Sequence, residues 1–363
     1  MMTIDFISAN IYASIYFYVM LLVVLFTILH SFTLDIDDRK NLSYIRNMNF
    51  FVLFFSIFYI GLRPINEVFV DMVSYAAFFN MTKQGSQFIP ITGDVLFDAY
   101  SFLCSKIMNV QSYFLLCAII YIVPLYIVSK KWFGEYAFYA FLALIISFSF
   151  WAYGTNGIRN GLSTSLFILA ISRDKRLFQI LWIIVAIGFH KSILLPTICF
   201  IVAQLYHKPN RILMFWVLCI LLSVSLGHFW ENLFSNLNID DRISYLTNEG
   251  NSSIIAATRF RWDFLLYSSI GAFAGWYYIN KLHFEDRIYN CLYTIYLLSN
   301  AFWILIIRAS YSNRFAYLSW FILALIVIYP LLKENLVNNQ QVKIGFVLLA
   351  YFSFTFIMNV IIY

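Results

Sequence analysis

The side chains of this sequence best suited to chemistry are a few polar groups set into apolar stretches. Gly188-Phe189-His190-Lys191-Ser192 opens an apolar run, and imidazole is the side chain most able to carry a proton near neutral pH. His190 is either a proton carrier or a satisfied packing residue; Lys191 beside it keeps the first reading level with the second. Asn156-Gly157-Ile158-Arg159-Asn160 places an amide and a guanidinium at the mouth of another apolar helix. Helix N-termini favour anions through free N–H groups and the macrodipole, so Arg159 there suits a phosphate. Asn313-Arg314-Phe315-Ala316-Tyr317 repeats that arrangement later in the chain. Gly61-Leu62-Arg63-Pro64 is followed by Asp71 and Tyr75, which share a face if that stretch is helical. Asp71 beside Arg63 is either a structural pair or part of a site. Arg308 and Arg259-Phe260-Arg261-Trp262-Asp263 add guanidiniums; those of the latter run read more readily as interfacial anchors. Arg242 and Tyr245 add candidate substrate contacts in a long connection.

Other chemistries find no support. There is no P-loop, no G-x-S-x-G, and no His/Cys/carboxylate cluster with metal spacing. The D-x-D formed by Asp35 and Asp37 lies beside cations and reads as solvated. Five cysteines sit in apolar stretches without a C-x-x-C and read as small hydrophobes. The expectation is a reaction with no metal and no cofactor, on a substrate that arrives already activated, and with no nucleic-acid partner.

The elements that must position these groups are membrane helices. The chain is 62% hydrophobic and only 12% charged, about half the charged share of a soluble domain. Runs such as 11–29, 50–62, 113–128, 212–226 and 315–332 are apolar and nearly free of charge, and about 20 such residues cross a bilayer. A barrel would alternate instead. The pattern predicts an all-α, polytopic transmembrane bundle of about twelve helices, centred near residues 20, 55, 120, 145, 165, 184, 199, 219, 271, 298, 322 and 352. A single integral-membrane domain covers 1–363, with long connections at 63–112 and 229–260. The first apolar run has no basic leader or cleavage site and reads as a spanning helix.

Charge sets the orientation. Alternate short connections hold fourteen of the 24 Lys and Arg residues and eight of the 18 acids, so one side carries the whole net charge of +6. The positive-inside rule makes that side cytoplasmic and turns both long connections and both termini outward. The outer side holds seven Arg and three Lys, the inner side six Arg and eight Lys. Topogenic charge is indifferent to the cation used, whereas the planar guanidinium forks onto carboxylate and phosphate oxygens. The outer face therefore reads as built to hold an anion, unless its arginines snorkel or pair with acids.

Two stretches are short for what they must do. Residues 137–172 must cross twice with a turn at Gly154–Gly157, and 177–206 must cross twice with a turn near His190. Each arm of the second pair has a reach of about 21 Å against about 30 Å of hydrocarbon. Both turns would stop below the outer surface, where irregular backbone is tolerated only if buried or lining a cavity, and where ionisable groups mark function. The alternative is one long tilted helix through 177–206, which would reverse the sidedness of everything after it.

In order along the chain, Arg63…Asp71…Tyr75, Asn156-Gly-Ile-Arg159-Asn160, Phe189-His190-Lys191-Ser192 and Arg314-Phe-Ala-Tyr317 before Pro330 resemble the EpsG/Wzy-like family of bacterial polysaccharide polymerases. The chain departs from that pattern in carrying Val68-Phe69-Val70 before Asp71, where Gly-Thr is common, and Asn160, where Gln is common. The resemblance implies a GT-C-like membrane enzyme of the bacterial inner membrane. Its implied donor and acceptor are polyprenyl-diphosphate-linked oligosaccharides, and its implied partners are membrane lipids and a chain-length regulator. It would move a glycan from the diphosphate to a sugar hydroxyl of another lipid-linked repeat unit on the outer face. Arg63, Arg159 and Arg314 would hold the diphosphate, and His190 or Asp71 would serve as base. Tyr75, Asn156, Lys191, Arg242, Tyr245, Arg261, Arg308 and Tyr317 would complete substrate binding. A flippase of anionic lipid-linked sugars would use the same arginines without a base, and an O-antigen-ligase-like transferase would share the architecture. The long polar outer connections and the lack of repeat symmetry favour an enzyme.

Overall fold

A computed structural model describes residues 3–4, 6–85, 88, 92–235, 260–309 and 312–362. Among these there is no strand. Fifteen α-helices follow one another: α1 Ala9–Ser31, α2 Arg39–Gly61, α3 Asp71–Gln84, α4 Val95–Ile107, α5 Val110–Phe133, α6 Ala137–Ile145, α7 Phe148–Thr155, α8 Ile158–Ile171, α9 Arg176–Phe189, α10 Leu194–Leu205, α11 Pro209–Ser235, α12 Trp262–Asn280, α13 Arg287–Leu305, α14 Asn313–Lys333 and α15 Gln340–Phe356.

Starts are written locally. The Asp38 side chain accepts from the Lys40 N–H at 2.7 Å to open α2. Asn109 does the same for Ser112 at 2.9 Å to open α5, and Asp286 for Tyr289 at 2.8 Å to open α13. Each oxygen satisfies one of the N–H groups that a first turn leaves unpaired.

Seven helical stretches among the described residues are long and apolar enough to cross a bilayer: α1, α2, Val110–Ile145, Pro209–Leu226, α13, α14 and Gln340–Ile362. Three shorter apolar helices, Ile158–Ile171, Arg176–Phe189 and Lys191–Leu205, complete the apolar set. The protein is a multi-pass helical membrane protein. Lipid-facing surfaces carry exposed Phe, Leu and Ile, among them Leu22, Phe54, Ile184 and Leu221, as expected where the solvent is hydrocarbon.

Contacts divide the chain into two compact units, Met1–Ile193 with Leu331–Tyr363, and Leu194–Pro330. In the first, α8 packs on α5 and α9, α2 on α5, and α1 on α15. In the second, α13 packs on α10, α11 and α12. Its centre is a satisfied polar knot: fully buried Asn300 accepts from Trp216 Nε1 at 2.8 Å and donates to Ser268 and Ser319 at 3.0 and 2.9 Å.

The first long connection holds two helices, α3 and α4, which pack together. Lys106 of α4 donates to the backbone carbonyls of Thr82, Lys83 and Gly85, where α3 ends. A cation suits the negative end of a helix. The stretch 177–206 breaks near His190, as expected, rather than running as the single helix of the alternative: α9 stops at Phe189, His190 is extended at φ −162° and ψ 124°, and a 3₁₀ turn over Lys191–Ile193 follows. The chain also breaks at Asn156–Gly157, as expected, and additionally at Ile146–Ser147.

Candidate functional site

The helix breaks at Asn156–Gly157 and at His190 and the turn before α4 meet in the first unit. Thr92-Gly93-Asp94 enters α4 with Gly93 at φ +77°, a left-handed backbone that a side chain at this position would resist. The turn is fastened by Asp98, whose carboxylate accepts from Thr92 Oγ1 at 2.7 Å and from its N–H at 3.1 Å. Thr92 Oγ1 in turn accepts from the Asp94 N–H at 3.3 Å. Asp94 occupies the N-cap of α4, yet its side chain makes no capping bond. It turns away and is committed elsewhere.

That commitment is the centre of the site. Asp94 Oδ2 lies 2.6 Å from Arg159 Nη1 and 3.0 Å from His190 Nδ1. Its Oδ1 accepts from the Lys191 N–H at 3.2 Å. The Asp94 side chain is 1% exposed and that of His190 5%, whereas Arg159 keeps 26%. Burial pushes the Asp94 carboxyl up, but His190, Arg159 and the Lys191 N–H together outweigh it and hold the pKa below the ordinary aspartate value.

Arg159 sits in the first turn of α8 and its other contacts fix its plane. Nε donates to the Tyr75 hydroxyl at 3.3 Å, and Nη1 also reaches the Thr92 carbonyl at 3.4 Å. Nη2 has no protein acceptor among the described residues, so one arm of the guanidinium is open to a ligand. The His190 segment is held against α8 from the other side. Ser163 Oγ donates to the Ala186 carbonyl at 2.7 Å, and Ser192 Oγ donates to Asn160 Oδ1 at 2.9 Å. A Cβ at Gly188 would come within 2.8 Å of Leu96 Cβ. Glycine there lets α9 end against the start of α4, which is what brings His190 to Asp94.

The other candidates fall as follows. Asp71 opens α3 and makes no ion pair among the described residues; the carboxylate that meets both His190 and Arg159 is Asp94. The structure brings Tyr75 to Arg159, a contact that the sequence motif did not indicate. Arg63 is 1% exposed. Its Nη2 donates to the Thr155 carbonyl at 3.0 Å and its Nη1 to the Ile60 carbonyl. Phe69 and Phe114 flank its guanidinium at 5.7 and 5.5 Å. It closes the C-terminal turns of α2 and α7, a use of a cation that the macrodipole favours. Gln111 adds bonds to the carbonyls of Gly61 and Arg63 at 3.0 and 3.1 Å. Asn156 Oδ1 is buried with no protein partner among the described residues.

In the second unit Arg261 forks onto Asp263 at 2.9 and 2.6 Å and lies over the Phe264 ring at 3.6 Å. Arg308 donates to the Ser223 carbonyl at 2.8 Å and stacks over Phe260 at 5.2 Å. Arg314 is exposed at the start of α14, and Tyr317 rests near Trp320. Arg242, Tyr245 and Arg259 lie outside the described residues.

Asp94 is the residue that the sequence pattern gives no reason to single out. Thr-Gly-Asp before an apolar stretch reads as an ordinary turn and helix cap. The one available signal is the second aspartate four residues on, which places two carboxylates at the start of one short helix. No three His, Cys, Asp or Glu side chains converge as a metal site among the described residues.

A multi-pass helical bundle with a buried carboxylate, an imidazole and a half-open guanidinium at helix breaks has the makings of a membrane-embedded transferase site. The chain belongs to the EpsG family, which matches residues 46–363. That membership points to a polysaccharide-polymerase type of function, carried out as a glycosyltransferase. No curated protein and no solved structure matches the chain.

Proposed function

We propose that this protein polymerises lipid-linked polysaccharide repeat units, moving a glycan from polyprenyl diphosphate to a sugar hydroxyl of a second lipid-linked unit. The observation that carries the reading is the meeting of Asp94, His190 and Arg159 in one buried cluster. In a glycosyl transfer the acceptor oxygen bonds to the anomeric carbon, the bond from that carbon to the diphosphate oxygen breaks, and the acceptor proton must go to a base. His190 is that base. Its Nδ1 faces Asp94, whose carboxylate orients the ring and steadies the imidazolium formed when the acceptor proton is taken up. The diphosphate gains charge as it leaves, and the free arm of Arg159 stabilises it. Asn156, Lys191 and Tyr75 border the same segments and are assigned to substrate contact. Arg314 is assigned to donor binding on its sequence motif alone. Arg63 is assigned to bracing, since its guanidinium is already spent on backbone carbonyls.

The same reading makes the reaction metal-independent, the bundle GT-C-like with about twelve crossings, and the membrane the bacterial inner one, with chemistry on its outer face. Purified protein supplied with lipid-linked repeat units should form polymer in EDTA. Loss of product that added Mg²⁺ or Mn²⁺ restores would refute metal independence. In cells, deletion should leave single lipid-linked units and no polymer. A flippase would need the arginine but no base, so transport that survives replacement of His190 and Asp94 would favour that alternative.

A further inference from the structure

The second unit carries a separate cavity with a different character. Its volume is 670 Å³, and it lies where α10 passes into α11 and α12 into α13. Phe284 and Cys291 are buried in its wall. His207, Lys208, Arg211 and Arg287 stand exposed at its margin.

Three features make this cavity a site for an anion. The first is convergence: Lys208 and Arg211 come from one connection and Arg287 from another, far along the chain. The positive-inside rule asks for basic residues in such connections, but it does not ask that two connections gather theirs around one cavity. The second is lack of compensation. Glu285 and Asp286 line the same cavity, yet neither forms an ion pair with the three cations, none of which has a carboxylate partner among the described residues. Asp286 is spent on the Tyr289 N–H at 2.8 Å and the Tyr329 hydroxyl at 3.3 Å. Elsewhere the chain does pair a loop cation, as Lys131 with Asp174 at 2.6 Å. The third is placement. Arg211 lies in the first turn of α11 and Arg287 opens α13, so both cations sit at the positive ends of helix dipoles. That is the unfavourable arrangement, and a bound anion would relieve it.

The surface beyond the cavity indicates which anion. On α11, Arg211 is followed along one face by Met214, Phe215 and Leu218, exposed by 72%, 45% and 48%. A ligand whose phosphate meets Arg211 would lay an apolar tail along that face. We propose that this cavity binds a phosphate ester, and that its occupant is the phosphodiester headgroup of an anionic phospholipid from the surrounding leaflet, which the positive-inside rule makes the cytoplasmic one. The site is independent of the Asp94 cluster and does not rest on the polymerase reading.

Thermal unfolding of the protein in a neutral detergent, at fixed ionic strength, tests it. Phosphatidylglycerol should raise Tm by several degrees, with a response that saturates and weakens as salt rises. Phosphatidylcholine and water-soluble glycerol phosphate should not. The variant K208Q/R211Q/R287Q should lose the phosphatidylglycerol shift, while K130Q/K333Q/K343Q, with the same charge removed elsewhere, should keep it. Equal shifts with the two phospholipids, or an undiminished shift in the first variant, overturn the proposal. Glycerol phosphate as effective as phosphatidylglycerol would make the occupant a soluble phosphate ester and overturn the lipid assignment. If the triple variant does not fold, the wild-type protein decides by the lipids it retains on extraction from mixed vesicles. Enrichment of phosphatidylglycerol over its input share, reversed by salt, is expected. Retention at the input ratio rejects the site.

Discussion

Nδ1 of His190 lies 3.0 Å from Oδ2 of Asp94, and that same oxygen is 2.6 Å from Nη1 of Arg159. One carboxylate oxygen thus joins the imidazole to the guanidinium. Asp94→Asn keeps the shape, removes the charge, and can present an amide N–H to His190. Polymer formation should fall about 10²–10⁴-fold, the usual contribution of general acid–base catalysis. Donor binding should persist, since no base is needed to hold a diphosphate. The check is polymer yield beside retention of lipid-linked donor on the purified protein; wild-type yield from the Asn variant would remove the dyad from the mechanism.

Arg159 reaches Asp94, Thr92 and Tyr75 through one planar group with an arm to spare. Lysine keeps the charge and one of these contacts but not the plane. Arg159→Lys should therefore cut polymerisation by about 10²-fold or more and weaken donor binding as well, while Tyr75→Phe should cost much less. If R159K retains full donor affinity and rate, the diphosphate is held elsewhere.

Asp94 also ties stability to pH. Its pKa is depressed in the folded protein, so the unfolded state binds the proton more readily. The stabilisation is fully present above the unfolded aspartate value of about 3.9 and is lost as pH falls through the folded one. Acid unfolding of the wild type should steepen in that window, and Asp94→Asn should flatten it at a lower overall stability. A parallel loss of Tm in both proteins between pH 5 and 3, taken as approximate bounds from the ordinary aspartate range, would contradict this.

Arg63 separates bracing from binding. Removing its guanidinium leaves the Ile60 and Thr155 carbonyls without that donor, at about 1–3 kcal/mol for each buried group left unsatisfied. Arg63→Met should lower Tm and protein level, while the molecules that fold should bind donor normally. A variant of normal stability with selectively lost donor affinity would return Arg63 to the substrate site.

Orientation is open to reporter fusions. Residues 173–176 and 281–287 should report cytoplasmic, and 80–90 and 245–250 the opposite side, because basic residues concentrate in the first pair of connections. A cytoplasmic signal at 245–250 would mean that the chain crosses the membrane once rather than twice over 177–206.

Composition and periodicity by themselves determined that this is a multi-pass helical membrane protein, since hydrocarbon demands long apolar helices and leaves few alternatives. Short motifs at helix breaks were equally legible: the interruptions at Asn156–Gly157 and His190 belong to segments whose polar residues stand out against an apolar background. Only the tertiary structure shows which carboxylate meets His190 and Arg159, and which acceptors Arg63 and Arg159 reach. Asp94 and Asp71 look alike in sequence, each opening a short helix in the same connection. Only packing, through the close approach of Gly188 to Leu96 and the Asp98–Thr92 fastening, turns one of them onto His190 and Arg159. Arg63 and Arg159 likewise share a residue type and a place beside a helix end. One is enclosed between two phenylalanines with both terminal nitrogens on backbone carbonyls, and the other keeps a terminal nitrogen free. A guanidinium's role depends on which acceptors lie within about 3 Å of it, and that is set by residues distant in the chain.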